Sequence, residues 1–158
     1  VKFSSLPPRT SLANHLKTLK LPARTNHHLR PMLVEDVAAV HKLLTAYLEK
    51  NCKLYQVFTE DDVAHNLLPR EKVVSSYVLE GENGEITDFC SYYYLPSTVI
   101  KNPHHSMLNA VYSYYNVATS MTVLELMSDL LVLAKNDGAD VFNALDLMEN
   151  KQFFEQLK

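Results

Sequence analysis

Two apolar, β-rich runs, residues 73–80 and 86–94, flank the pentapeptide Gly81-Glu82-Asn83-Gly84-Glu85. Asn83-Gly84 is the strongest hairpin signal in the chain, because both residue types tolerate the positive φ that tight β-turns demand. A hairpin here commits the middle of the chain to an antiparallel sheet, and everything on either side must pack against it. Pro96 ends the second run, and a loop is expected over residues 97–106 with Asn102-Pro103-His104-His105 at its centre. Residues 111–118 read as a third, tyrosine-rich strand, with Tyr112 and Tyr114 on one face and Tyr115 on the other.

Helical patterns surround this sheet. Val37, Val40, Leu44, Tyr47 and Leu48 form one apolar stripe, which predicts a helix over residues 35–50. Glu35 and Asp36 lie at its positive end and Lys50 at its negative end. A shorter helix is expected over residues 59–67, capped by Thr59 with Asp62 three residues on. Residues 122–135 are apolar on more than one side, as suits a helix lying on a sheet, and Asp137-Gly138 ends it. Residues 141–147 then read as a strand and residues 151–158 as a short amphipathic helix. Residues 1–29 are rich in turn formers and read as an extended leader with one short helix near residues 11–19, capped by Ser11. The domain proper is expected over residues 30–158.

Composition narrows the function classes. The 47% hydrophobic content supports a core, and a net charge of −3 creates no strong field for nucleic acid. No apolar run approaches the roughly 18–20 residues that span a bilayer. Nothing at residues 1–9 has the cationic start and apolar core of a signal peptide, so a cytoplasmic location is expected. Cys52 and Cys90, the only cysteines, are expected as reduced thiols. His27-His28 and His104-His105 are adjacent pairs whose side chains diverge, and no metal-ligand spacing occurs, so no metal is expected. The tyrosines lack interleaved Lys or Arg and are expected to pack in the core or a groove rather than stack on bases. Asp140 and Asp146 would share a strand face, where capping and surface charge outweigh acid–base work.

The order of elements, antiparallel strands followed by a crossover helix between strands, is that of the GNAT acyltransferase fold. Arg30-Pro31-Met32-Leu33-Val34-Glu35-Asp36-Val37-Ala38-Ala39-Val40 resembles the opening of that superfamily. The expected fold class is therefore α+β, a GNAT-like half-domain with a central, mostly antiparallel sheet flanked by helices. One motif is missing. An acyl-CoA site in this fold needs a glycine-rich turn whose N–H groups cradle pyrophosphate at the start of the crossover helix. Here that turn would be Ala118-Thr119-Ser120-Met121-Thr122, without Gly or a basic residue. No cofactor is expected to bind this domain.

Several long segments resemble the eukaryotic N-myristoyltransferases. They include Val1-Lys2-Phe3-Ser4, Leu29-Arg30-Pro31-Met32, Leu95-Pro96-Ser97-Thr98, Tyr112-Ser113-Tyr114-Tyr115-Asn116-Val117 and Leu126-Met127-Ser128-Asp129. The longest is Asp140-Val141-Phe142-Asn143-Ala144-Leu145-Asp146-Leu147-Met148-Glu149-Asn150. The similarity is to the second of that family's two GNAT-like halves, the one that builds much of the peptide groove. Lys158 would be the first residue of a family signature that continues Phe-Gly. In the family, myristoyl-CoA and the backbone oxyanion hole belong to the first half, and a C-terminal carboxylate serves as base. The resemblance thus implies no catalytic residue in this chain and myristoyl-CoA as co-substrate of the whole enzyme.

It also implies substrate-binding roles. Phe3 would be an aromatic wall of the peptide groove. Ser97 would hydrogen-bond the peptide a few residues in from its glycine. Leu108 and Tyr112 would line the groove, and Asn143 would offer a polar contact close to the bound glycine. From the residues alone, Asn143 reads first as a core amide satisfied by its neighbours, and as a ligand contact second. The expected function is the peptide-binding half of a protein N-myristoyltransferase, partnered by N-terminal-glycine substrates and by the enzyme's N-terminal half, and inactive in isolation. A non-catalytic GNAT-like peptide-binding module is the alternative.

Overall fold

The computed structural model describes residues 11–157; Phe3 and Lys158 lie outside the described residues. Ser11 caps α1 (Leu12–Thr18), its Oγ accepting from the Asn14 N–H. The chain then runs through β1 (Arg30–Pro31), a 3-10 turn (Val34–Asp36), α2 (Val37–Asn51) and α3 (Glu60–Leu67). The hairpin follows as β2 (Val74–Glu80) and β3 (Ile86–Tyr94). Next come β4 (Ser97–Thr98), β5 (Met107–Leu108), β6 (Ala110–Val117), α4 (Val123–Asn136), β7 (Val141–Asn143) and α5 (Lys151–Leu157).

Five strands form one sheet in the order β1-β2-β3-β6-β7. Its first four strands are antiparallel, and β7 joins β6 in parallel, with α4 as the crossover. The hairpin turn is closed by the Gly84 N–H donating to the Gly81 carbonyl, with Gly84 at φ 82°. Of the Asn83-Gly84 pair, only Gly84 uses the positive φ that the sequence offers.

A core lies on each face of the sheet. On one face the α2 stripe, all of it buried, meets Phe58, Val63 and Leu67 from the α3 region and Val78, Phe89 and Val117 from the sheet. On the other, Leu126, Met127, Leu130 and Ala134 of α4 and Phe153 of α5 cover Tyr77, Cys90, Tyr92 and Val111. Full burial of each large apolar side chain is worth about 1.5–3 kcal/mol. Thr59 with Asp62, and Thr122 with Glu125, form complete capping boxes at the starts of α3 and α4. No described helix is long and apolar enough to cross a membrane.

The structure corrects three expectations. The loop over residues 97–106 is bounded by the β4/β5 pair, a second, two-stranded sheet. The last strand ends at Asn143 instead of continuing to residue 147, because the chain turns back through Leu145 and Leu147 into a left-handed Met148 at φ 55°. Asp140 and Asp146 therefore share no strand face; Asp140 accepts from the Asn109 N–H at 2.8 Å instead. Finally, Tyr115 does not face away from Tyr114. Two residues of β6, Tyr114 and Tyr115, stand opposite the single Ser91 of β3. This bulge turns both rings towards the α2 face, 4.8 Å apart.

Asp36 does more than complement a helix dipole. It is buried and takes two hydrogen bonds from Arg30, at 2.7 and 2.9 Å, and one from the Leu33 N–H. The Arg30 hydrogen bonds hold its carboxyl below the ordinary carboxylate range against the opposing pull of burial. Arg30→Met strands a buried carboxylate and is expected to cost about 2–3 kcal/mol at neutral pH. The depressed Asp36 contributes stability above its unfolded pKa of about 3.9, and this is lost as pH falls through its lower folded value. Urea unfolding should show the gap between wild type and variant closing as pH drops below about 4.

Candidate functional site

The site is assembled around β6, because that strand hydrogen-bonds both ways. Tyr112 is in register with Tyr93 of β3 and with Asn143 of β7. Cross-strand partners share a face, so Tyr93 and Tyr112 stand side by side on the α2 face, while Asn143, paired with Tyr112 at the last position of β7, lines a cavity on the α4 side. The Tyr93 and Tyr112 rings stack, with centroids 5.5 Å apart and planes 17° from parallel. Tyr114 meets Tyr93 edge-on at 5.5 Å, and Phe58 meets Tyr115 edge-on at 5.2 Å. The result is a continuous aromatic surface from Phe58 to Tyr112. Burial raises the pKa of the Tyr114 and Tyr115 hydroxyls, so these rings stay neutral across the ordinary pH range.

Ser97 and Leu108 are the second pair, in register in the β4/β5 hairpin. Leu108 lies four residues before Tyr112, and Asn109 between them is clamped to Asp140, backbone to backbone and N–H to carboxylate. The structure thus places Ser97 beside Leu108 and Tyr112 beside Asn143, and one short stretch, residues 108–112, links the two pairs. Ser97 is exposed, while Leu108, Tyr112 and Asn143 are half-buried.

Cavities open where β7 ends. One of about 360 Å³ lies on the α2 side, walled by Leu48, Tyr93, Tyr114, Tyr115 and Leu145. A second, of about 290 Å³, lies between α4, β7 and α5, and Asn143 lines it with Met127, Phe142 and Phe154. Asn143 makes no side-chain hydrogen bond among the described residues. The buried amide of this motif is Asn150, whose Nδ2 donates to the Leu145 carbonyl at 2.9 Å.

The bulge that shapes this surface is held by one serine. Ser91 is buried; its Oγ donates to the Tyr115 carbonyl at 2.8 Å and accepts from the Tyr115 N–H at 3.1 Å. The Asn116 side chain accepts from the Ser91 N–H. Side chains thereby replace the ladder bonds that the extra residue breaks. Sequence reasoning missed both Tyr93 and Ser91 as shaping residues. The two-residue period was the available signal for Tyr93, since it puts Tyr93 on the face opposite Tyr92 and Tyr94. No sequence signal marks the bulge.

Tyr92 and Tyr94 serve the other face. With Tyr77 they donate to one Asp137 oxygen, at distances from 2.5 to 3.2 Å. Burial, more than this carboxylate, pushes the Tyr77 hydroxyl up to about 12. Cys90 is buried on the same face, and burial drives its thiol pKa upward, the opposite of an activated nucleophile. Among the described residues no three His, Cys, Asp or Glu side chains converge as a metal site.

With this geometry in view, the comparisons are decisive. Residues 1–158 match the family described as Myristoyl-CoA:protein N-myristoyltransferase, C-terminal domain. The chain belongs to this family. Glycylpeptide N-tetradecanoyltransferase 2 of Bos taurus is 48% identical over all of this chain, which covers 32% of that protein. Glycylpeptide N-tetradecanoyltransferase 1 of Arabidopsis thaliana is also 48% identical, with 37% of it covered. The chain thus spans about a third of the length of these curated relatives. Saccharomyces cerevisiae N-myristoyltransferase, solved with bound myristoyl-CoA, superposes with a TM-score of 0.91 at 32% identity, covering 99% of this chain and 40% of that one. A ribosomal-protein-alanine N-acetyltransferase from Brucella melitensis biovar Abortus shares the fold, with a TM-score of 0.57 at 20% identity. The GNAT-like α+β class is therefore established for this C-terminal domain.

Because Ser91 satisfies both backbone groups of Tyr115, Ser91→Ala removes the partner of both from a position where Ser91 itself is buried. A loss of about 1–3 kcal/mol is expected, read as a lower urea midpoint with an unchanged slope.

Proposed function

We propose that this domain forms the peptide-binding part of a glycylpeptide N-myristoyltransferase. The reaction is acyl transfer. The free amine of an N-terminal glycine attacks the thioester carbonyl of myristoyl-CoA, the amide C–N bond forms, and the C–S bond breaks. The amine loses a proton, and CoA departs as the thiol. The enzyme's N-terminal half would hold the acyl-CoA, and this half would hold the protein substrate in the cytoplasm.

The observation that carries the reading is the in-register pairing of Ser97 with Leu108 and of Tyr112 with Asn143, in a chain of this family. In the proposed arrangement the glycine end lies by Asn143 and Tyr112, where the Asn143 amide is free to contact it. The peptide then runs past Leu108, and Ser97 hydrogen-bonds it further along. Phe3 would complete the wall. Nothing in this set performs the thioester chemistry; its work is to fix the amine's position, and orientation of this kind can supply a large share of a rate enhancement.

The test is calorimetry with a glycine-initiated octapeptide carrying serine at its fifth position, on the 158-residue chain. Ser97→Ala and Asn143→Ala are each expected to weaken binding roughly two- to tenfold, the size of one lost hydrogen bond. Equal affinity in wild type and both variants, or no binding by any, would sink the site assignment. Turnover of myristoyl-CoA by these 158 residues alone would overturn the division of labour.

A further inference from the structure

The turn that opens the crossover helix has no glycine, yet it holds an anion. Asp88, in β3, is fully buried. One of its carboxylate oxygens accepts from the backbone N–H groups of Thr119, at 2.7 Å, and Ser120, at 3.1 Å. The other accepts from the Thr87 hydroxyl at 2.7 Å and from the Ser120 hydroxyl. Thr119 Oγ1 also donates to the Thr87 carbonyl, which tightens the same turn onto the strand. No Lys, Arg or His side chain pairs with Asp88 among the described residues. A dry carboxylate without a cation survives only where hydrogen-bond donors and helix dipoles replace water. Here two successive N–H groups and two hydroxyls converge just ahead of the N-terminus of α4, a 14-residue helix. Backbone N–H groups converging near the start of a helix are also a general way to bind a ligand phosphate.

We infer that Asp88 is a built-in anion: it occupies, from inside the protein, a working anion cradle at residues 119–120. This half is closed to phosphate-bearing ligands by that carboxylate, and not by loss of the donors that would bind them. Thr119 and Ser120 are themselves exposed, so a vacated cradle is open to solvent. The inference is independent of the peptide-site assignment above.

Asp88→Ala empties the cradle and takes the shared acceptor away from two backbone N–H groups and two hydroxyls. The thermal midpoint of this variant is measured as formate, and separately inorganic phosphate, replaces chloride at constant ionic strength. The expected result is a saturable rise in midpoint with both anions, following binding linkage. No such rise is expected in wild type, in Asp88→Asn, where the amide fills the space, or in Val117→Ala, a nearby core cavity without exposed donors. A rise shared equally by Val117→Ala, or no rise in Asp88→Ala, overturns the inference. A response to formate alone overturns its phosphate part. Should Asp88→Ala not fold in chloride, the reading becomes refolding yield from urea. Recovery in formate and phosphate upholds the cradle, and failure in every anion, with Asp88→Asn folding normally, overturns it.

Discussion

The sheet changes sense at β6, and the domain is arranged around that fact. One edge of β6 takes antiparallel bonds from β3, and the other takes parallel bonds from β7. A parallel neighbour demands a crossover, which α4 supplies, and α4 in turn buries one face of the sheet. The bulge at Tyr114–Tyr115 adds local twist to the same strand. The parallel pairing lasts three residues, from Ala110 to Tyr112. Beyond it the chain after β7 departs from β6, and cavities open on both sides of the gap. The strand that organises the core therefore also borders the cavities between the layers.

Buried carboxylates fasten the irregular segments to this frame. Asp36 takes Arg30 and the Leu33 N–H, tying the entry to α2 to β1. Asp129, inside α4, takes the Asn26 and His27 N–H groups and the His27 ring, and so binds the chain ahead of β1 to the crossover helix. Asp88 closes the turn before α4. Each is nearly inaccessible, where an unsatisfied charge would be prohibitive. Their common device is to spend backbone N–H groups that lie outside any ladder. Segments with little regular structure thereby acquire defined positions.

Much of this was legible from periodicity. The α2 stripe, the capping threonines, the hairpin and Gly138 as a helix terminator all depend on neighbours within a few residues, and local pattern captures such rules. What escaped depends on partners far apart in sequence. The partners of Asp129, Asn26 and His27, lie about a hundred positions earlier in the chain, beyond the reach of local pattern. The Ser91 bulge needs two strands in view at once. The shortened β7 reflects a left-handed Met148 and a turn through Leu145 and Leu147, in a run whose apolar residues imitate a longer strand. The candidate site residues came from family resemblance, not from pattern; the residues alone favoured a core amide at Asn143 and put Ser97 in a loop.

The two asparagines of the terminal motif show why that ambiguity was real. A lone amide in an apolar run can either close a local structure or face a ligand, and composition cannot separate these. In this structure Asn150 takes the first of these roles. Asn150 is buried and bonds the Leu145 carbonyl, so its amide is consumed in holding the turn that carries the chain from β7 to α5. An unpaired amide there would cost about 1–3 kcal/mol. Asn143 stands at the last paired position of β7, half-buried at a cavity wall, where water can still reach it. Its amide loses little by lacking a protein partner and is left available to a polar group arriving from outside. One asparagine is a structural tie because it is dry; the other needs no such tie because water can reach it.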